Sequence, residues 1–150
     1  MENTILQLQS IVSVYADKLR GVSEEQWVHK PNPLKWSKKE ILGHLVDSAQ
    51  NNMRRFVVAQ YEENPKIVYD QDRWVAAAGY QYYVTPDLIE LWVLLNGHIC
   101  RILTNMPEDF RQRMAETNQS HPIAWLAADY NKHLLHHLHQ VLDLEPVAYP

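Results

Sequence analysis

The stretch from Asp129 to His139, DYNKHLLHHLH, places four of the chain's eight histidines within seven positions. A helix advances ~100° per residue, so four nearby apolar side chains would share one face: Leu126, Tyr130, Leu134 and Val141. His133 and His137 would lie together on the margin of that face. His136 and His139 would project from the opposite side, where we expect them at the surface. The stretch therefore predicts an amphipathic helix with one inward and one outward pair of histidines.

The inward pair has the spacing of metal ligands. Side chains four residues apart on a helix lie ~5–6 Å from each other, so two imidazoles can bind one ion. Leu134 follows His133, whereas the metalloprotease helix has a glutamate there, and this excludes that motif with its built-in general base. A catalytic metal usually has three protein ligands, so a third must come from another helix. The alternative is that His133 and His137 are boundary histidines with hydrogen-bonded rings and no metal.

Four helical segments account for most of the chain, because apolar residues recur within them in steps of three and four. Their approximate ranges are 3–20, 37–60, 85–105 and 120–142. Ser37 and Glu40 form a capping box at the start of the second segment. Thr85 is the expected N-cap of the third, and Gly21 ends the first.

Residues 61–84 form a long connection with a short helical turn, and connections of this length are often functional. No alternation of apolar and polar residues is sustained, which argues against strands. Helices joined by connections of such unequal length indicate a bundle with crossovers. The sequence thus predicts an all-α four-helix bundle with a long crossover connection, and a single domain over residues 1–150.

Composition excludes several classes of protein. The net charge is −4 and the basic residues are scattered, so we expect no nucleic-acid partner. No apolar run approaches the ~18–20 residues that span a bilayer, and the N-terminus lacks the features of a signal peptide. The single cysteine, Cys100, cannot form an internal disulfide and is interpreted as a small core residue. We therefore expect a cytoplasmic protein that acts on a small molecule.

The residues alone leave the third ligand open. The candidates are His29, His44, His98 and His121. His44 lies within the second helix beside a stripe of polar residues: Glu40, Ser48, Asn51 and Arg55. That stripe is either a solvated face or the polar wall of a pocket, and periodicity does not choose between them. His98 also lies within a helix, and we interpret it as structural.

Two motifs resemble those of the DinB-like superfamily, which includes the YfiT-like metal-dependent hydrolases. Residues 36–48, WSKKEILGHLVDS, resemble the family's second-helix signature W-S-x-x-E-x-x-x-H-L-x-D. Residues 133–137, HLLHH, resemble its last-helix signature H-x-x-H-H. The order of the motifs and their separation of about ninety residues also fit, and the likeness extends from about Ile5 to Leu142.

This resemblance implies that His44 joins His133 and His137 as the third ligand of one divalent ion, with zinc or nickel the expected metals. It also implies the bundle with a long crossover, often assembled as a homodimer. The implied reaction is hydrolysis, or transfer involving a low-molecular-weight thiol such as bacillithiol, mycothiol or glutathione. The reacting group would be a metal-bound water or thiolate. The alternative is a non-catalytic bundle that binds a metal or a small molecule.

Several other residues are candidates to support such a site. Asp129, one turn before His133, is a candidate partner for its ring, although a surface role fits equally well. Asp47 and Glu40 are the acids nearest to His44 in sequence. Four residues of the long connection are candidates to cover the site: Arg73, Trp74, Tyr82 and Tyr83.

Overall fold

The computed structural model describes residues 1–149 as a helical protein with one small hairpin. The helices are α1 (Glu2–Arg20), α2 (Glu24–Val28), α3 (Lys38–Val58), α4 (Gln71–Ala78), α5 (Thr85–Asn105) and α6 (Ile123–Val141). The strands β1 (Met114–Glu116) and β2 (Ser120–Pro122) pair antiparallel, and 3-10 turns occupy Tyr80–Tyr82 and Glu108–Gln112. Within residues 1–149, every helix is too short or too polar to cross a bilayer.

Four long helices, α1, α3, α5 and α6, form the bundle. Helix α3 packs against α5 and α6, and α1 packs against the same two helices. Helices α1 and α3 therefore lie diagonally across the bundle, although α3 is the next long helix after α1 along the chain. This arrangement confirms the predicted all-α four-helix bundle with a long crossover connection.

The start of α3 follows the predicted capping box. The Glu40 amide donates to Ser37 Oγ at 3.1 Å, and the Ser37 amide donates to Glu40 Oε2 at 2.8 Å. A cap of this kind contributes ~1 kcal/mol and fixes the first residue of the helix. The predicted cap of α5 was wrong by one residue: Val84 is the N-cap. The Thr85 hydroxyl instead donates to Glu24 Oε2 at 2.6 Å, which ties α5 to α2.

The connections hold more structure than the sequence predicted. Residues 61–84 contain α4 and a 3-10 turn, and the prediction missed both α2 and the β-hairpin. Residues 120–122 were predicted as the start of the last helix but form β2, because strands of three residues are too short to show alternation. The Ile67 amide donates to the Glu116 carbonyl at 2.9 Å, so the hairpin lies beside the segment that follows α3.

Large apolar side chains fill most of the bundle core, but α3 also contributes a row of buried polar groups. Trp27, Phe56, Trp92 and Leu134 are at most 1% exposed, and a buried side chain of this size stabilises the fold by ~1.5–3 kcal/mol. Helix α3 also buries a row of polar side chains: His44, Asp47, Ser48, Asn51, Asn52 and Arg55. Buried polar groups are costly unless they are paired, so this row marks the candidate site.

Candidate metal centre

Three histidines from two helices converge between α3 and α6. His44 of α3 and His133 and His137 of α6 each offer one ring nitrogen, and these three atoms lie within 4.8 Å of one another. His44 Nε2 and His133 Nε2 are 3.1 Å apart. A tetrahedral zinc with bonds of ~2.0–2.1 Å holds its ligand nitrogens about 3.3 Å apart, so the spacing of the His44 and His133 nitrogens fits such an ion, and the third imidazole lies close enough to join them.

His44 is fixed by its neighbours in α3. The ring is 1% exposed and packs against Trp36, with ring centroids 5.1 Å apart. The preceding residue, Gly43, lets the Tyr80 ring lie directly on the helix, because a Cβ there would meet that ring at 2.2 Å. Ser48, Asn51 and Arg55 are buried as well, so this part of the polar stripe is a buried wall and not a solvated face.

Hydrogen bonds orient two of the three rings. His137 Nδ1 donates to Gln140 Oε1 at 2.8 Å, which leaves the lone pair on Nε2 for a ligand. His133 Nδ1 lies 3.3 Å from Ser48 Oγ, so its Nε2 also points at the cluster. His44 Nδ1 is buried and finds no partner among residues 1–149. Such outer-shell bonds are typical of metal-ligating histidines, and the sequence did not reveal Ser48 or Gln140 in this role.

Burial favours the neutral form of all three rings. Burial lowers the pKa of His44 to about 4, and the neighbouring His137 adds to the effect. Burial lowers the pKa of His133 to about 2, reinforced by His137, His44, His136 and Arg55. Burial also lowers the pKa of His137. Neutral imidazoles are the ligand form, so the site is ready for a cation without first losing protons.

A pocket of about 640 Å³ opens on the His44 and His133 side of the cluster. Helix α3 contributes Ser48, Asn52 and Arg55 to its wall, and α6 contributes Trp125 and Asp129. The segments 68–71 and 117–119 close the rim. The pocket gives a small molecule direct access to two of the three candidate ligands.

The predicted supporting acids lie elsewhere. Asp129 accepts from the Tyr149 hydroxyl at 2.7 Å and makes no hydrogen bond to His133. Asp47 accepts from the Tyr80 hydroxyl, and burial raises its pKa to about 6, offset in part by that bond. Glu40 serves the helix cap and pairs with Lys30 at 2.9 Å. The hydroxyl and amide partners described above replace these carboxylates.

The predicted cover of the site was also wrong. Arg73, Trp74, Tyr82 and Tyr83 do not line the pocket, and Tyr82 is 92% exposed. Tyr69 and Gln71 of the same connection line it instead. Helix α4 packs against α3, a contact that periodicity does not reveal.

The remaining candidate histidines lie outside the cluster. His29 is exposed, and His98 is exposed and does not have the structural role predicted for it. His121 stacks on Trp125 at the pocket wall, with ring centroids 3.7 Å apart. Cys100 is buried in the core, as predicted, and burial raises the pKa of its thiol.

The outward histidines of α6 hold residues 144–149, here called the C-terminal segment. His136 Nδ1 donates to the Val147 carbonyl at 2.6 Å, and His139 Nδ1 donates to the Glu145 carbonyl at 2.7 Å. Both rings are half-buried by these contacts, so the expectation of an open surface position needs correction. The segment also brings Tyr149 to the pocket.

Comparisons with known proteins agree with this architecture. YfiT from Bacillus subtilis, described as a probable metal-dependent hydrolase with an unusual four-helix bundle topology, superposes with a TM-score of 0.84. The match covers 95% of this chain and 83% of that one at 19% identity. A mycothiol-dependent maleylpyruvate isomerase superposes with a TM-score of 0.73 at 16% identity, covering 98% of this chain and 61% of that one. At these low identities, the superpositions show a shared fold.

Sequence comparison assigns the family. A search of curated proteins gave no match. The family profile of the DinB superfamily matches residues 8–141, which include both histidine motifs and all four long helices apart from the start of α1. The chain belongs to the DinB superfamily.

Proposed function

We propose that the chain is a metal-dependent enzyme in which His44, His133 and His137 bind one divalent ion, zinc or nickel. The observation that carries this proposal is the convergence of three ring nitrogens, from neutral imidazoles on two helices, at the wall of a pocket. Without a cation, nitrogen lone pairs that face one another at 3.1 Å would repel unless one carried a proton. A shared ion explains the arrangement directly.

The donor set favours a catalytic site over a closed structural one. Structural zinc sites usually have four protein ligands, whereas catalytic sites keep one position for water or substrate. Within residues 1–149, the cluster comprises three histidines, with no cysteine or carboxylate among its members. Because the pocket meets His44 and His133, the free position would face a bound small molecule.

A divalent ion held by three imidazoles supplies Lewis acidity, which activates either a water for hydrolysis or the thiol of a cosubstrate for transfer. The protein's part is to hold the rings in place through Ser48 and Gln140 and to provide the pocket wall. Both reaction classes have support among the structural neighbours, since YfiT is described as a hydrolase and the isomerase as mycothiol-dependent.

The experiment compares metal-loaded wild type with His137→Ala and His139→Ala. Hydrolysis of p-nitrophenyl acetate tests the first class, and conjugation of 1-chloro-2,4-dinitrobenzene with cysteine, glutathione, bacillithiol or mycothiol tests the second. We expect one reaction to exceed its background rate, to stop with a chelator or with His137→Ala, and to persist in His139→Ala. Equal rates in wild type and His137→Ala would show that turnover does not use this site.

The homodimer, the cytoplasmic location and a single domain over residues 1–150 stay predictions. Light scattering after size-exclusion chromatography tests the homodimer, cell fractionation tests the location, and limited proteolysis tests the single domain. We expect one protease-resistant core, because the four long helices share one set of buried side chains.

A further inference from the structure

Arg55 is a buried cation in the wall of the pocket. It lies on α3 three turns after His44, is 9% exposed, and lines the same cavity as His44 and His133. Its Nε and Nη2 donate to the Ile67 carbonyl at 3.1 and 2.8 Å, and its Nη1 donates to Asn52 Oδ1 at 3.2 Å. Both acceptors are neutral, so they hold the guanidinium in place without balancing its charge.

No described carboxylate balances that charge. Within residues 1–149, none lies within 4.0 Å of the Arg55 guanidinium. Asp129 is the acid that lines the pocket, and it accepts a hydrogen bond from Tyr149. Burial lowers the pKa of Arg55, as expected for a cation removed from water. Proteins rarely bury a charge without a partner, so the partner here is expected from outside the chain.

The donors that remain on Arg55 suit a carboxylate. A guanidinium has five N–H groups, and the bonds to Ile67 and Asn52 use three of them, so each Nη keeps one. Two N–H groups on adjacent nitrogens are the pattern that a carboxylate accepts in bidentate fashion. Arg55 and His133 line the same pocket, so a ligand bound there can contact both the guanidinium and the histidine cluster.

We propose that the pocket takes a substrate or thiol cosubstrate that carries a carboxylate, and that Arg55 binds this carboxylate and determines specificity for it. The proposal rests on the proposed function, because the histidine-bound ion holds the other, reacting end of the ligand. Arg55 is then a binding residue that orients the ligand along the wall of α3. A neutral ligand of the same size would reach the histidines but leave the guanidinium without a partner.

The test uses two thiols that differ by one carboxylate, N-acetylcysteine and N-acetylcysteamine, with the cobalt(II)-loaded protein. Thiolate binding at an open cobalt position is followed by its charge-transfer absorbance in the near ultraviolet. We expect wild type to bind N-acetylcysteine about tenfold more tightly, the size of one charge-assisted hydrogen-bonded contact. Arg55→Met should lose this preference while its affinity for N-acetylcysteamine stays the same, and Arg55→Lys should regain part of it.

The matched control is Arg54→Met, which removes an exposed arginine from the adjacent position of α3 and should keep the preference. Equal affinities for the two thiols in wild type would overturn the inference and leave the metal site intact. If neither thiol produced the charge-transfer absorbance, the cobalt would have no open coordination position for a thiolate, and the inference would fail together with the proposed function. Circular dichroism and cobalt content check each variant. If Arg55→Met does not fold, the preference for N-acetylcysteine is compared among wild type, Arg54→Met and Arg55→Lys. A preference as strong in Arg55→Lys as in the other two would argue against recognition by the Arg55 guanidinium.

Discussion

The two histidine pairs of α6 share one helix and one residue type but meet different surroundings. His133 and His137 face α3, where His44 adds a third imidazole and the ring nitrogens face one another. His136 and His139 face the C-terminal segment and donate to its backbone carbonyls. The inward rings contact protein partners through Nδ1 and turn Nε2 toward the cluster, whereas the outward rings have protein partners on both nitrogens.

The difference lies in what occupies the Nε2 lone pairs. The Tyr15 hydroxyl donates to His139 Nε2 at 2.7 Å, and Gln140 Nε2 donates to His136 Nε2 at 3.0 Å. At the inward pair, the protein instead engages Nδ1 and turns Nε2 toward the cluster. Ring nitrogens that converge from two helices, with the other nitrogen of each α6 ring held by the protein, indicate a metal site more strongly than the spacing of histidines on one helix does.

The largest expected difference between the pairs is in stabilisation by metal. Zinc at 1,000 times its dissociation constant should stabilise the metal-free wild type by ~4 kcal/mol, which raises the unfolding midpoint by roughly 10 °C. His139→Ala should keep this increase, and His44→Ala and His137→Ala should lose it. Thermal unfolding with and without zinc, after treatment with a chelator, measures the effect. An equal increase in all four proteins would remove the distinction between the pairs.

A second difference concerns acid pH. Burial holds the folded-state pKa of His44 near 4 and of His133 near 2, below the ~6.5 of an unfolded chain. The unfolded chain then binds protons that the folded one does not, so these rings lower the stability of the metal-free protein as the pH falls below about 6.5. Urea unfolding at pH 7.5 and pH 5 should show a smaller loss of stability in His133→Gln than in wild type.

Asp47 changes the stability with pH in the opposite sense, so its contribution has to be separated from that of the histidines. Its folded-state pKa of about 6 exceeds the unfolded value, so its contribution to stability grows as the pH falls toward 4. For this reason the free energies of unfolding of His133→Gln and wild type are compared at each pH. Both proteins contain Asp47, so its contribution cancels in the difference. If His133→Gln lost as much stability between pH 7.5 and pH 5 as wild type does, the pH dependence could not be assigned to the inward rings.

Smaller changes are expected from the residues that orient the inward rings. Ser48→Ala and Gln140→Ala should each weaken zinc affinity by about 10- to 100-fold, the usual effect of removing an outer-shell hydrogen bond. Competition with a chromophoric chelator measures the affinity. Asn51→Ala is the matched control on α3, since its amide donates to the Asp47 carbonyl and not to a candidate ligand. Wild-type affinity in both Ser48→Ala and Gln140→Ala would argue against their orienting role.

The smallest effect should come from the outward pair. His139→Ala removes the bonds to Tyr15 and to the Glu145 carbonyl, and should lower the free energy of unfolding by about 1 kcal/mol. Zinc affinity should stay at the wild-type value. Urea unfolding and chelator competition on the same sample measure both quantities. A loss of zinc affinity as large as that of His137→Ala would mean that the two pairs do not differ in role.

The sequence predicted the elements that depend on local signals. The capping box at Ser37 and Glu40, the stop at Gly21 and the four long helices follow from periodicity and caps, and the structure confirms them. The hairpin and α2 were missed because three to five residues carry too little pattern. The cap of α5 moved by one residue because Thr85 bonds to another helix.

The site was predictable only in part, for a physical reason. Periodicity identified the inward pair on α6 but left His44 on an undecided polar stripe, since the residues of α3 do not show which helix they face. The family resemblance selected His44, and the structure brings it to the pair. Ser48 and Gln140 as ring partners, and Arg55 as the pocket's cation, depend on contacts between distant segments that no local pattern reveals.

The most direct test of the central claim is the metal content of protein purified without a polyhistidine tag or a nickel column. Inductively coupled plasma mass spectrometry would be applied to wild type, His137→Ala and His139→Ala. We predict about one equivalent of zinc or nickel in wild type and His139→Ala, and almost none in His137→Ala. No metal in wild type after incubation with zinc and nickel, or an equal content in His137→Ala, would contradict the three-histidine site.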